Sequence, residues 1–167
     1  MSQAEHKAAA PAQVRCFILT VSDTRTATTD RSGDAIVELL TDAGHRVVGR
    51  AIIRDEPREV ATTVAEQLAN GDVQVLITTG GTGLTSRDST YEAIDALLEK
   101  RLDGFGELFR MLSYHDIGPA AMLSRACAGT ARGTFVAVLP GSEAAVRLAV
   151  SKLLIPELGH IVQQLSK

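Results

Sequence analysis

Two aspartates, a run of glycines and several hydroxyl side chains are the groups in this chain that could do chemistry together. Asp88 closes a stretch that runs Val73-Gln74-Val75-Leu76-Ile77-Thr78-Thr79-Gly80-Gly81-Thr82-Gly83 and continues through Arg87-Asp88-Ser89-Thr90. Gly80, Gly81 and Gly83 let backbone N–H groups turn inward and approach a ligand closely. Asp55 follows a separate apolar run, and Ser22-Asp23-Thr24 and Pro140-Gly141-Ser142 each follow another. Peptide amides at helix starts favour anions. Carboxylates beside them suit a phosphate compound bound through Mg²⁺, with the cradles on phosphate oxygens and the carboxylates on the metal.

Each of these residues also has a plain structural explanation. A glycine turn after a strand is a common strand-to-helix connection. The turn matches neither G-x-x-x-x-G-K-[ST] nor G-x-G-x-x-G, and no lysine lies between Lys7 and Lys100. Phosphate at this turn would have to be held by backbone and hydroxyl groups. Asp88 could serve only a helix N-terminus, at about 0.3–1 kcal/mol, but Ser89 already suits the cap. Asp55 precedes Pro57 and, taken alone, reads slightly better as part of an ordinary helix start. Arg87 reads as a solvated surface residue. Glu107 and Arg110 are spaced for a helical ion pair, and Ser142 reads as a helix cap. His45, His115 and His160 are isolated.

These residues need elements to bring them together. Val14–Val21, Val47–Ile53, Val73–Ile77 and Thr134–Leu139 are short, β-branched apolar runs and read as strands. Helices are expected between them. The first is capped by Asp30 or Ser32 and ends at Gly44, and the second has Pro57 in its first turn. A third starts at Ser89 in a capping box, S-x-x-E, and runs to about Lys100. Asp103-Gly104-Phe105-Gly106 is expected to break it. A helical pattern resumes at Glu107 and is interrupted at Ile117-Gly118-Pro119, before a short helix over 120–126. Another helix spans 143–154, and a last one follows Pro156. Alternating strands and helices predict an α/β fold: a three-layer α/β/α arrangement around a mostly parallel open sheet, Rossmann-like. In such sheets ligands bind at the carboxyl ends of the strands, which is where Ser22, Asp55, Gly80 and Gly141 fall.

At 167 residues one domain is expected, over 14–167, with 1–13 as a flexible tail. The net charge of −3 leaves no broad cationic surface for nucleic acid, and 4 % aromatics without Trp offers no base-stacking platform. No run spans a bilayer and the tail lacks a signal-peptide core. Cys16 and Cys127 sit in apolar surroundings without metal-ligand spacing, so they read as free buried thiols in a cytoplasmic protein.

Several motifs in order carry a resemblance. Thr79-Gly80-Gly81-Thr82-Gly83 with Arg87-Asp88, Gly104-Phe105-Gly106-Glu107 with Arg110, Ser124-Arg125, and Leu139-Pro140-Gly141-Ser142 resemble the MoaB/MogA family of molybdenum cofactor biosynthesis. Thr20-Val21-Ser22-Asp23 and Ile53-Arg54-Asp55 fit as well, and the similarity spans about Val14 to Gln164. The same domain occurs in gephyrin-like proteins. The resemblance implies a molybdopterin adenylyltransferase, taking MgATP and molybdopterin to adenylyl-molybdopterin and pyrophosphate. It places the catalytic, Mg²⁺-holding positions on Asp55 and Asp88 and the pterin's terminal phosphate on the glycine turn. Substrate-binding positions are then Ser22, Asp23, Thr79, Gly80, Gly81, Thr82, Gly83, Pro140, Gly141 and Ser142. It also implies a homotrimer or homohexamer that hands its product to a molybdate-inserting partner. The MoaB branch carries an alternative, a non-catalytic molybdopterin-binding module. A nucleotide-dependent oxidoreductase is a more distant alternative and lacks the expected glycine fingerprint.

Overall fold

The computed structural model describes Ser2 and residues 7–167. Its frame is a six-stranded sheet in the order β2-β1-β3-β6-β5-β4. The strands are β1 Arg15–Val21, β2 Arg46–Ile53, β3 Val75–Thr79, β4 Lys100–Arg101, β5 Cys127–Ala131 and β6 Thr134–Leu139. β2, β1, β3 and β6 are mutually parallel, while β5 and β4 add antiparallel to the β6 edge.

Alternation along the central strands sets the three layers. On one face Cys16, Ile18, Val75, Ile77, Phe135, Ala137 and Leu139 pack against α1 Arg31–Asp42, α4 Asp103–Ile117, α5 Glu143–Ala149 and α6 Leu158–Leu165. On the other, Leu19, Val21, Leu76, Val136 and Val138 pack against α2 Pro57–Ala69 and α3 Thr90–Asp95. Two buried faces explain why these strands read as continuous apolar runs. The expected mostly parallel α/β fold is therefore present.

Several local expectations need correction. α3 ends at Asp95, and Lys100–Arg101 pairs as an edge strand instead of closing the helix. Asp103-Gly104-Phe105-Gly106 does not break a helix but forms the first turn of α4, which runs unbroken to Ile117. There Gly118, at φ 65°, ends it as expected. The segment Gly118–Leu123 is a 3-10 turn. β5 was not expected, since Cys127-Ala128-Gly129-Thr130-Ala131 offers little β-branched surface. It is fixed by a two-residue hairpin through Arg132 and Gly133, both at positive φ, of the kind that matches strand twist. After α5 the chain widens into a π-helix over Val150–Leu154.

Met1 and residues 3–6 of the expected tail lie outside the described residues. From Lys7 onward the segment lies against the start of α6. Lys7 pairs with Glu157, and the Pro11 carbonyl sits where a Cβ on Gly159 would come within 2.5 Å. Among the described residues no helix is long and apolar enough to cross a membrane.

Candidate functional site

The carboxyl ends of β1, β3 and β6 meet at the glycine turn. The chain runs from β1 to β2 on one side and crosses back to β3 on the other, so a crevice opens at this switch point between β1 and β3. Gly80 N–H donates to the Leu139 carbonyl at 3.1 Å, and the Thr79 hydroxyl donates to the Pro140 carbonyl at 2.8 Å. Gly80 has φ 95°, and a Cβ there would lie 2.2 Å from the Val21 carbonyl oxygen. Gly81 has φ 67°, and its Cβ would lie 1.9 Å from Thr90 Oγ1 and 2.6 Å from Asp55 Oδ2. Only glycine satisfies both the backbone angle and the close approach at these two positions.

Asp55 and Asp88 reach this turn from different directions and are held differently. Asp55, 6 % exposed, accepts at Oδ1 from the Ser89 hydroxyl at 2.8 Å and from Ser89 N–H at 3.2 Å. Burial raises its carboxyl above the ordinary range. The Ser89 bonds oppose that, and the neighbouring charges of Asp88 and Asp23 add to it. Asp88 accepts at Oδ2 from the Thr85 hydroxyl at 2.6 Å and from Thr85 N–H at 2.9 Å. These bonds, led by the hydroxyl, hold Asp88 below its ordinary value against some desolvation. One carboxylate is thus made harder to ionise and the other easier, within the same cavity.

This arrangement corrects the expected capping box. Ser89 sits at the cap position of α3 but makes no side-chain cap bond; its hydroxyl serves Asp55. Glu92 pairs with Arg125. Arg125 in turn donates to the Thr82 carbonyl at 3.0 Å and the Gly83 carbonyl at 2.7 Å, with Tyr91 beneath its guanidinium at 5.2 Å. It therefore buttresses the far half of the glycine turn. Arg87 is not simply solvated. It takes both oxygens of Asp23, at 3.0 and 3.2 Å, and Glu56 at 2.9 Å, and lowers the Asp23 carboxyl. Glu107 and Arg110 form no ion pair with each other among the described residues. Arg110 donates to the Ser124 and Ala126 carbonyls at 3.3 and 3.1 Å. Ser142 does cap α5, accepting from Ala145 N–H at 3.3 Å.

Two open cavities lie on either side of this turn. One, of about 480 Å³, is lined by Ser22, Asp23, Asp55 and Thr79; the other, of about 460 Å³, by Thr82, Gly83 and Pro140. Gly80, Gly81, Asp88, Gly141 and Ser142 line both and form the wall between them. Every residue expected at the site from the sequence therefore lines one cavity or the other. Sequence reasoning left out the supports: Thr85 under Asp88, Ser89 under Asp55, Arg125 behind the turn, and Ser32, whose hydroxyl donates to the Gly141 carbonyl at 2.6 Å. Ser32 and Ser89 carried a local signal as helix caps, and Arg125 stood only in the Ser124-Arg125 motif of the resemblance.

Asp30 is the cap of α1 and more. It is 1 % exposed and accepts from Thr20 at 2.6 Å, Gly33 N–H at 3.0 Å and Arg50 at 2.7 Å. Burial pushes its carboxyl up, but Arg50, Thr20 and Gly33 outweigh burial and hold it low. Asp30 is thereby committed to the scaffold.

Among the described residues no three His, Cys, Asp or Glu side chains form a metal cage. The Asp55/Asp88 pair nevertheless suits a hard cation that keeps one or two protein carboxylates and completes its shell with water and phosphate. Burial is the main reason Asp55 is raised, and the smaller repulsion from Asp88 and Asp23 is a contribution such a cation would relieve.

A sheet of this topology with a glycine-and-carboxylate crevice defines a class, and comparison with known proteins names it. Residues 17–160 match the family described as a probable molybdopterin binding domain, and the chain belongs to that molybdenum cofactor biosynthesis family. It is 52 % identical to molybdenum cofactor biosynthesis protein B of Bacillus cereus, over all of this chain and 99 % of that one. A crystal structure of a molybdenum cofactor biosynthesis protein B superposes with a TM-score of 0.91 at 52 % identity, covering 94 % of this chain and 98 % of the other. The tungsten cofactor synthesizing protein MoaB from Pyrococcus furiosus gives 0.84 at 37 % identity, covering 95 % and 100 %.

Proposed function

We propose that this chain adenylylates molybdopterin, using MgATP and releasing pyrophosphate, in cytoplasmic molybdenum cofactor biosynthesis. The observation that supports this reading is the shared wall: two cavities large enough for separate ligands meet at Asp88 and the Gly80–Gly81 turn. Ligands entering from both sides would bring their phosphates together there.

The acceptor phosphate of molybdopterin would lie in the Thr82–Gly83 cavity, held by N–H groups of the turn and the Thr82 hydroxyl. The nucleotide would lie in the Asp55 cavity. A phosphate oxygen of the pterin then forms a bond to the α-phosphorus of ATP as the bond to pyrophosphate breaks. Such transfers depend mainly on alignment and charge neutralisation. Asp55 and Asp88 would hold Mg²⁺, which neutralises charge on the phosphates. Ser89 and Thr85 orient those two carboxylates, and Arg125 keeps the turn in register. Exposed apolar side chains along α4, among them Leu108, Met111 and Tyr114, each 48–58 % exposed, favour association of copies, which we read as a homotrimer or homohexamer. The adenylylated product would pass to a molybdate-inserting partner.

Pyrophosphate release with molybdopterin and MgATP tests the reading. Asp88→Asn should abolish release and leave molybdopterin binding intact. Molybdopterin binding with no release by the wild type would leave a non-catalytic pterin-binding module. Release undiminished in Asp88→Asn would remove Asp88 from the reaction.

A further inference from the structure

The Asp55 cavity poses a charge problem for a triphosphate. Four carboxylates line it, from Asp23, Asp30, Asp55 and Asp88, against two guanidinium groups, from Arg25 and Arg87. Asp30 is neutralised from outside the cavity by Arg50. Arg87 is spent on Asp23 and Glu56. Arg25 is different. Its Nη1 donates to the Thr29 carbonyl at 2.9 Å, and no carboxylate pairs with it among the described residues.

Arg25 is also held in place. Ser22 Oγ accepts from Thr24 N–H at 3.2 Å and from Arg25 N–H at 3.0 Å, which folds the chain into a turn directly after β1. Beyond it, Thr26 N–H donates to Thr29 Oγ1 at 2.8 Å, so the carbonyl that anchors the guanidinium belongs to a braced loop. One edge of the guanidinium is fixed on Thr29. Its remaining N–H groups have no protein acceptor among the described residues, at the rim of a cavity that must take an anion.

We infer that Arg25 binds the β- and γ-phosphates of the nucleotide, the part that leaves as pyrophosphate, while Asp55 and Asp88, lining the same cavity, serve the α-phosphate end. This rests on the reading of the cavity as the ATP side of an adenylyltransferase. A planar guanidinium suits this role because it offers two parallel N–H donors to phosphate oxygens. The cavity would then be polarised, with Asp55 and Asp88 at the reacting end and Arg25 at the leaving end.

The inference separates the two ends of ATP, and so does its test. Inorganic pyrophosphate and AMP, each with Mg²⁺, are titrated by calorimetry into the wild type, Arg25→Ala and Arg25→Lys. A lost charge-assisted contact weakens binding on the order of 10- to 100-fold. That loss is expected for pyrophosphate in Arg25→Ala, with partial rescue by Lys and AMP affinity unchanged. In turnover, the KM for ATP should rise by a similar factor while the KM for molybdopterin stays constant. Equal pyrophosphate affinity in wild type and Arg25→Ala overturns the inference, even where the wild type releases pyrophosphate and the functional reading stands. Equal weakening of AMP and pyrophosphate overturns it too, by making Arg25 a support of the whole cavity. If the wild type shows no turnover and Arg25→Ala still loses pyrophosphate binding, Arg25 stands as a polyphosphate contact of this cavity while the adenylyltransferase reading falls.

Discussion

Asp55 separates stability from chemistry, because its two carboxylate oxygens do different jobs. Oδ1 is occupied by Ser89, while Oδ2 faces Gly81 together with the Thr90 hydroxyl. That hydroxyl is buried and has no hydrogen-bond partner among the described residues. In Asp55→Asn the side-chain oxygen can keep both Ser89 bonds, and the new NH₂ faces the Thr90 oxygen. The buried charge and its repulsion by Asp88 and Asp23 disappear. The net effect on folding should be neutral to stabilising, by at most about 1 kcal/mol, or roughly 2–4 °C in Tm for a chain of this size. The pH dependence follows from the raised carboxyl. A raised acid destabilises the fold when ionised, so the advantage of Asn is full above the folded-state pKa of Asp55. It fades as pH falls toward the unfolded aspartate value of about 3.9. Asp55→Ala, by contrast, strands the Ser89 N–H and hydroxyl, at a cost of about 1–3 kcal/mol. If the charge of Asp55 is used at the transferring phosphates, both variants should lose roughly 100- to 1,000-fold in turnover, comparable to removing one electrostatic stabiliser elsewhere. Thermal unfolding between pH 4 and 8, set beside pyrophosphate release, reads both effects. An Asp55→Asn protein that is as stable as the wild type and turns over at its rate would refute the assignment. One that is strongly destabilised at pH 7 would refute the electrostatic account.

Other expectations are simpler to state. Gly81→Ala puts a methyl 1.9 Å from Thr90 Oγ1 at φ 67° and should lower Tm far more than Gly44→Ala, which has φ 86° but open space; paired melting curves decide it. Asp30→Ala strands the buried Thr20 hydroxyl and Gly33 N–H and leaves Arg50 only Asp34, and should cost about 3 kcal/mol, or roughly 6–12 °C, by scanning calorimetry. Burial pushes the thiol of Cys16 up to about 12 and that of half-buried Cys127 to about 11, so at pH 8 Cys16 should not react with iodoacetamide until the chain unfolds and Cys127 should react only slowly. Rapid labelling of native Cys16 would contradict its place in the core.

What could be read from the residues, and what could not, divides by the range of the interaction. β1, β2, β3 and β6 were legible because each carries its own β-branched apolar run. β5 was not, because its residues are small and its pairing is dictated by the Arg132-Gly133 hairpin and by β6. Gly129 shows why small residues are needed there: a Cβ on it would stand 2.3 Å from the Lys100 carbonyl of β4. α4 was misread at its start for a related reason. Gly106 sits in a helical turn because Arg110 lies across it, 2.6 Å from where a Cβ would be, on its way to the Ser124 and Ala126 carbonyls. A glycine that breaks helices in isolation here admits a guanidinium.

The same division explains the site. Its polar ends follow from topology, since each strand's last residues must emerge at one edge of a parallel sheet. The fate of Ser89 does not follow. A serine with glutamate three residues on satisfies every local rule for a capping box, yet both groups are drawn away, Ser89 to Asp55 and Glu92 to Arg125. Each long-range partner is charged, and a charge-assisted bond is worth about twice a neutral one. α3 therefore begins without a side-chain cap, and Ser89 and Glu92 instead hold one carboxylate and the back of the glycine turn. A helix start that gives up its own side-chain cap thus leaves Asp55 fixed by Ser89 beside the glycine turn, where the proposed chemistry would need it.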